Sequence, residues 1–331
     1  MRIALDSTPL TLTSGGLQRY VSALSAALKA EFPEDDYHLL ANPTAPADAF
    51  ERRWWTLGLP RELRRRKIEI FHGTNFEVPY LGRIPAVITI HDLSPWRDAA
   101  WHHAADRVRQ RTPWLIRLGR VNRIITPSEA IRREVIAHFR FDPAKVRAIP
   151  LAAGPDFRPV NAAPLHPRPY FLFTGTLEPR KNIPALIEAW QRAKTDADLV
   201  LIGRKRADAP ALPDLPGLHW LGELPDAQLP AYYSQALAFV YPSHYEGFGL
   251  PVLEAMQCGC PVVISKDPAL VELSAGIAAG PGQLADSMRQ ISEDPSLRSR
   301  IRIAGLTRAL QFSWAETARL THQVYRETIA V

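Results

Sequence analysis

Residues 238 to 264 constrain the fold more than any other stretch. Ala238-Phe239-Val240-Tyr241 is a short, wholly apolar run, as expected of a strand buried on both faces. Pro242 cannot donate to a sheet ladder and closes it. Gly247-Phe248-Gly249 supplies a turn, and Pro251 stands where a helix begins, because a missing N–H costs nothing there. Val252, Leu253, Ala255 and Met256 continue as a short helix; Gly259 ends it, and Pro261-Val262-Val263-Ile264 starts a second buried strand. The turn carries Glu246 and Glu254 on either side of the helix N-terminus. Free N–H groups and the helix dipole favour an anion at such a place. A phosphate is the obvious anion, with the carboxylates near enough to bind hydroxyls.

The same order of elements recurs along the chain. Arg2-Ile3-Ala4-Leu5-Asp6 reads as a first strand, too short in its apolar part for a signal peptide; Ser14-Gly15-Gly16 turns, and a helix follows from about Leu17 to Ala30. Tyr37 to Ala41, Ile68 to His72, Ala86 to Ile90 and Ile124 to Thr126 read as further strands. Pro150 to Pro169 is rich in Pro, Ala and Gly and lacks periodicity, which marks a linker. A second series follows, with strands at Tyr170 to Phe173, Leu199 to Ile202 and Leu218 to Leu221. Strands alternating with helices predict an α/β chain of doubly wound sheets. At 331 residues, two domains are expected. The predicted division is 1–158, 159–312 and a final helix over 313–331.

Polar residues at strand ends are candidate site residues, because open α/β sheets bind ligands at their carboxyl ends. His91-Asp92 follow one strand and Arg180-Lys181 another, with His72-Gly73 a weaker candidate. Gly15-Gly16 is either a plain turn or a loop approaching a ligand. His102-His103 are adjacent, so on a helix they cannot share a face as metal ligands, and they read as surface residues. Asp196-Ala197-Asp198 has the spelling of a metal-binding pair of aspartates, but it precedes its strand and is read as chance. No metal is expected. Cys258 and Cys260 are too few and too close for a disulfide framework or a metal site, and read as small packing residues in a reducing cytoplasm.

The net charge of +6 is uneven. Residues 1–165 hold 24 Lys+Arg against 17 Asp+Glu, and residues 166–331 hold 16 against 17. The first half therefore suits an anionic partner. Within it, residues 51–67 interleave seven basic residues with Trp54-Trp55 and several leucines. The segment is either an interfacial element on an anionic leaflet or a solvated helix covering the sheet. Arg107, Arg109, Arg111, Arg117, Arg120 and Arg123, with Trp114 and Leu115, form a second basic, partly apolar region. No nucleic-acid motif occurs, so nucleic acid is not an expected partner. No apolar run reaches the ~18 residues that span a bilayer.

Glu246 and Glu254, with seven residues between them and GFGLP inside, resemble the E-x7-E signature of the family 4 glycosyltransferases. The phrases HDLSPW, IITPSEAIRREV, GTLEPRKN and FSWAETA resemble the same family, and the likeness covers nearly the whole chain. It implies a GT-B fold: two Rossmann-like doubly wound parallel-sheet domains facing a cleft, with the C-terminal helix crossing back to the first domain. It also implies a retaining transferase that moves a hexose from a nucleotide-sugar to a glycan or polyprenyl-diphosphate-linked acceptor. HDLSPW and GTLEPRKN look like bacterial mannosyltransferases of polysaccharide and O-antigen assembly, which makes mannose from GDP-mannose the first expectation. The alternatives are a UDP-sugar donor, or a non-catalytic sugar- or nucleotide-binding protein on the same scaffold.

Residue by residue, the resemblance assigns His91 and Glu246 to the reacting donor sugar. It assigns Gly15, Gly16, Arg180, Lys181, Phe248, Gly249, Leu250 and Glu254 to the rest of the donor. Glu254 would accept the ribose hydroxyls; Lys181, Arg180 and the N–H groups from Phe248 to Leu250 would hold the diphosphate. Many relatives carry an arginine directly after the glycine of GTLEPRKN; this chain has Thr176 there, with Arg180 as the alternative cation. No cofactor is implied, since the nucleotide-sugar is a substrate. The expected location is cytoplasmic, peripheral on the inner face of the membrane.

Overall fold

The structure, a computed structural model, describes residues 1–12, 15–42, 52–98, 101 and 106–330. The chain forms two units, one of Met1–Leu151 with Ser313–Val331, the other of Ala152–Phe312. His102-His103 and most of the loop expected from Asn42 to Ala49 lie outside the described residues.

The first unit is built on six strands: β1 (Arg2–Asp6), β2 (Asp36–Leu40), β3 (Ile70–Gly73), β4 (Ala86–Thr89), β5 (Arg123–Thr126) and β6 (Val146–Ala148). Their spatial order is β2-β1-β3-β4-β5-β6, and every pairing is parallel. The helices between them are α1 (Pro9–Leu12), α2 (Gly16–Glu31), α3 (Leu59–Arg65), α4 (Ser94–Arg97), α5 (Asp106–Arg117) and α6 (Glu129–Phe139). In α2, Tyr20, Leu24 and Leu28 recur every fourth residue, with Val21 and Ser25 beside them, and this stripe is buried. β3 and β4 are buried throughout, as parallel strands covered on both faces must be.

The second unit repeats the plan with β7 (Tyr170–Thr174), β8 (Asp198–Ile202), β9 (Leu218–Trp220), β10 (Ala238–Tyr241), β11 (Val262–Ser265) and β12 (Ile277–Ala279). The order is β12-β11-β10-β7-β8-β9, again all parallel. Its helices are α7 (Ile183–Ala193), α8 (Leu229–Gln235), α9 (Leu250–Gln257), α10 (Pro268–Leu273), α11 (Leu284–Glu293) and α12 (Pro295–Ala309). The chain winds outward from β7 to β9, then returns to β10 beside β7 and winds the other way. The gap between the carboxyl ends of β7 and β10 is therefore the switch point, where doubly wound sheets open a crevice. In the first unit the reversal falls between β1 and β3. The stretch 275–284 reads from sequence as a shortened loop; it contains β12, a three-residue edge strand of one isoleucine and two alanines. Gly276 permits that pairing, since a Cβ there would meet the Val262 carbonyl oxygen at 2.2 Å.

The last helix, α13 (Trp314–Ile329), belongs to the first unit. Ser313 caps it by accepting the Glu316 N–H at 3.1 Å. Thr317 donates to the Pro150 carbonyl at 2.7 Å, and His322 Nε2 meets Asp35 Oδ2 at 2.8 Å. Tyr325, fully buried, reaches His72 Nδ1 at 2.6 Å, while His72 Nε2 meets Thr89 Oγ1 at 2.7 Å. Both imidazole nitrogens are thus spent inside the unit, and burial pushes His72 down to about 3. His72 is a structural residue.

Trp54 and Trp55 do not sit at a surface. They are 8% and 1% exposed, in a π-helical turn (Trp54–Gly58) that runs into α3. Trp55 stacks on Tyr80 and meets Phe71 edge-on. Trp55, Leu59 and Leu63 recur every fourth residue and face the core, while Arg61, Arg64, Arg65 and Lys67 are exposed. The interfacial reading of the tryptophans is therefore wrong; the segment is an amphipathic cover with a basic outer face.

Candidate active site

Lys181 and Glu246 occupy the switch point of the second unit. Lys181 ends a single 3-10 turn (Pro179–Lys181) after β7, and Glu246 lies in the loop after β10. Neither loop is adjacent to the other in sequence; the β7–β10 pairing joins them. Lys181 Nζ lies 2.5 Å from Glu246 Oε1 and 2.5 Å from the Tyr241 hydroxyl. Lys181 and Glu246 are 7% and 6% exposed, so the pair is buried. Arg180 joins it: Nη1 is 3.2 Å from Glu246 Oε2 and donates to the Tyr245 carbonyl at 2.7 Å, and Nη2 donates to Glu178 at 2.9 Å. Arg206 Nη1 donates to the second Glu178 oxygen at 2.8 Å.

Burial alone raises a carboxyl, but the Lys181 and Arg180 charges outweigh it and hold Glu246 at about 2. The Lys181 ammonium is pushed below its usual range by burial and by Arg180, against the pull of Glu246 and Glu178. Two of its three donors are used; the third meets no acceptor among the described residues. A cation held in a dry site with a donor to spare is suited to an anionic ligand.

The start of α9 adds to this. Gly249 adopts φ +99°, and a Cβ there would lie 2.5 Å from Leu270 Cδ2. Only glycine fits both the angle and the approach. The turn leaves the N–H groups of Phe248, Gly249 and Leu250 without acceptors among the described residues, although Phe248 is buried. Such orphan donors call for a ligand oxygen. Glu254, one turn into α9 and 2% exposed, accepts from the Tyr233 hydroxyl at 3.2 Å; Tyr233 in turn meets Thr174 Oγ1 at 2.5 Å. Asp267 anchors the loop by accepting the Glu246 N–H at 3.3 Å while capping α10. Burial pushes Asp267 up to about 6.

In the first unit, His91 follows β4. Its Nε2 lies 2.9 Å from the Thr74 carbonyl oxygen, which can only accept, so Nε2 carries the proton and Nδ1 is left as an acceptor. Burial lowers its pKa against the Thr74 bond and Asp92, which keeps the ring neutral. Tyr20 packs edge-on to it at 4.7 Å. Gly15, at φ +101°, begins α2 with Gly16 as the first helical residue; Ser14 beside them is outside the described residues.

Comparison with known proteins decides the family. Residues 158–308 match the sequence model of Glycosyl transferases group 1, and residues 14–157 that of Glycosyltransferase Family 4. The chain is 36% identical to O-antigen chain mannosyltransferase B of Escherichia coli, over 80% of this chain and 76% of that one. The chain belongs to the family 4 glycosyltransferases. An alpha-maltose-1-phosphate synthase of Mycobacterium tuberculosis is 29% identical over 75% of this chain and 74% of its own. Two solved structures share the fold. Sucrose-phosphate synthase of Thermosynechococcus elongatus has a TM-score of 0.78 at 20% identity, covering 100% of this chain and 99% of its own. Anabaena HepE, in complex with UDP and glucose, has 0.74 at 16% identity, covering 98% and 99%. Both sheets are thus those of a GT-B glycosyltransferase.

Sequence reasoning about this glycosyltransferase named Lys181, Arg180, Glu246 and the α9 start, and the structure brings these together within the second unit. It missed Tyr241, Glu178, Tyr233 and Asp267, which hold them. Tyr241 reads as one more apolar strand residue, and only its register beside β7 reveals its hydroxyl's use. Two buried carboxyls near the first unit's switch point were also missed: Asp6, pushed up to about 6 by burial, and Glu77, pushed up to about 7. Glu77 Oε1 has no partner among the described residues.

Replacing Lys181 by Ala should remove the spare donor and leave Glu246 with Arg180 alone. Losing one partner of a buried pair typically costs ~3–5 kcal/mol of stability. Calorimetric titration with nucleoside diphosphates should show binding at least ~10-fold weaker, the cost of about 1.4 kcal/mol. Unchanged affinity in a folded variant would remove Lys181 from the site.

Proposed function

We propose that this glycosyltransferase transfers mannose from GDP-mannose, with retention, to a lipid-linked or polymeric glycan of cell-surface polysaccharide. The observation that carries the donor and pathway is the 36% identity to an O-antigen chain mannosyltransferase over most of both chains. UDP-sugars are the second reading, favoured by the shared fold with HepE bound to UDP and glucose. The acceptor belongs to the first unit and the donor to the second, as the resemblance implies.

The residues divide the chemistry as follows. The glycosidic bond from the sugar to the diphosphate breaks, and the electron pair leaves with the phosphate oxygen. Lys181, Arg180 and the N–H groups of Phe248, Gly249 and Leu250 hold that developing charge. Fixed donors aimed at a leaving charge are usually the largest catalytic term. The resemblance assigns Gly15 and Gly16 to the donor as well. Glu254, held by Tyr233, accepts the ribose hydroxyls. The acceptor hydroxyl attacks on the face that the leaving group vacates, and its proton goes to the leaving phosphate. Glu246 is unsuited to taking that proton, because a carboxylate held at about 2 is a weak base at neutral pH. Its role is to hold Lys181 and a sugar hydroxyl. His91, neutral with Nδ1 as an acceptor, receives a hydrogen bond from a hydroxyl of the donor sugar. No step requires a metal or cofactor.

Thermal melting in the presence of GDP-, UDP- and dTDP-sugars tests the donor. A saturating ligand, at 100 times its dissociation constant, stabilises by ~2.7 kcal/mol. GDP-mannose should give the largest shift, and should turn over in excess chelator. Glu254→Gln should chiefly weaken binding of free nucleotide, and Glu246→Gln should chiefly slow turnover of bound donor. A larger shift with UDP-sugars, or equal effects of the two substitutions on free nucleotide, would overturn this reading.

We also infer that the basic face of the first unit meets an anionic surface during access to a lipid-linked acceptor. No helix among the described residues is long and apolar enough to cross a membrane. Arg61, Arg64, Arg65 and Lys67 are exposed along one side of the α3 region, and Trp114 is 51% exposed on α5. Each basic residue near an anionic leaflet contributes about 1 kcal/mol, and salt screens it. The protein should sediment with anionic vesicles at low salt and be released at high salt. Changing Arg64, Arg65 and Arg66 to Ser should weaken the binding; the absence of wild-type binding, or binding indifferent to salt, contradicts it.

A further inference from the structure

A second cluster lies at the amino end of the second sheet, away from the carboxyl ends that carry Lys181 and Glu246. Three chain segments meet there. His166 precedes β7, Asp198 is the first residue of β8, and His219 is the middle residue of β9. One carboxylate oxygen, Asp198 Oδ2, lies 2.7 Å from His166 Nε2 and 3.2 Å from His219 Nε2. The three potential ligand atoms all fall within 4.8 Å of one another. Asp198 is 4% exposed.

The surroundings hold the carboxylate in this orientation. Arg168 Nη1 is 3.3 Å from the other oxygen, Oδ1, and Arg168 Nη2 donates to the Asp196 carbonyl at 2.7 Å. Oδ2 is thereby turned toward the two imidazoles. Outer-shell partners of ligating carboxylates act in this way. The imidazole planes are inclined at 68° with centroids 4.8 Å apart, so the rings converge through their nitrogens and do not stack. The His219 side chain is 41% exposed, which leaves a path from solvent.

We propose that His166, Asp198 and His219 form a binding site for a divalent transition-metal ion of the Zn²⁺ class. Two imidazole nitrogens and one carboxylate oxygen are a known three-ligand set, with water as the fourth ligand. Tetrahedral Zn²⁺ with bonds of ~2.0–2.1 Å separates its ligand atoms by roughly 3.3 Å. The carboxylate–imidazole distances of 2.7 and 3.2 Å lie below this and the three ligand atoms spread over up to 4.8 Å, so a retraction of His166 and a turn of the exposed His219 toward it admit the ion. The hard ions Mg²⁺ and Ca²⁺ prefer all-oxygen shells and do not suit this set. The bound ion ties chain segments together. It clips the segment entering β7 to β8 and β9, and it is separate from the donor chemistry, so a chelator strips it without stopping turnover.

The test is titration of chelator-treated protein with Zn²⁺, followed by calorimetry and thermal melting, with Mg²⁺ as the control. One equivalent of Zn²⁺ should bind and raise the melting temperature, and Mg²⁺ should do neither. His219→Ala, at a partly exposed position, and the His166→Ala/His219→Ala pair should each lose at least the ~10–100-fold in affinity that even an outer-shell partner contributes. Arg168→Gln should weaken binding by a smaller factor. A nucleotide-sugar thermal shift retained in each variant shows that the unit is folded. The absence of stoichiometric Zn²⁺ binding to the wild type overturns the proposal. So does equal affinity in the double variant, which would place the ion on other histidines.

Discussion

The second unit depends on one buried ion pair, Lys181 with Glu246, set between the ends of β7 and β10. Taking two charges out of water costs several kcal/mol per ion unless each is paired and further hydrogen-bonded. Here Tyr241 completes one side, and Arg180 completes the other. The pair is possible only because the winding of the sheet reverses between these two strands. In any other strand order the two loops would lie apart. The switch point thus supplies both the crevice and the electrostatic means of filling it.

The same geometry explains why the site's carboxylates are not interchangeable. Glu246 is locked in its ionised form by cations and so serves as a fixed charge. Glu254 lies within α9, buried, and accepts a hydrogen bond from the Tyr233 hydroxyl. In the first unit, His91, its pKa lowered by burial, and two buried carboxyls with raised pKa, Asp6 and Glu77, form a different environment, in which Arg111 and Arg107 act on Glu77 from nearby.

Much of this was legible in the sequence, for identifiable reasons. Strands such as Ala238–Tyr241 are unbroken apolar runs, and Gly249 and Pro251 mark the turn and helix start through backbone constraints that need no tertiary context. What stayed hidden depends on packing. Trp54 and Trp55 lie among arginines in sequence, yet the four-residue period from Trp55 to Leu63 turns them inward. β12, three residues long, is too short to be seen before β11 offers it an edge. Asp198 reads as half of a chance motif until the pairing of β8 with β9 brings His219 to it. The hydroxyl of Tyr241 gains its meaning only across β7.

The most direct test is a crystal structure of the protein with a bound nucleoside diphosphate sugar. The account predicts phosphate oxygens within hydrogen-bonding distance, about 2.7–3.2 Å, of Lys181 Nζ and of the N–H groups of Gly249 and Leu250. It also predicts the ribose against Glu254 and an intact Lys181–Glu246 contact. A diphosphate bound elsewhere, with those N–H groups and the ammonium facing only water, would contradict it.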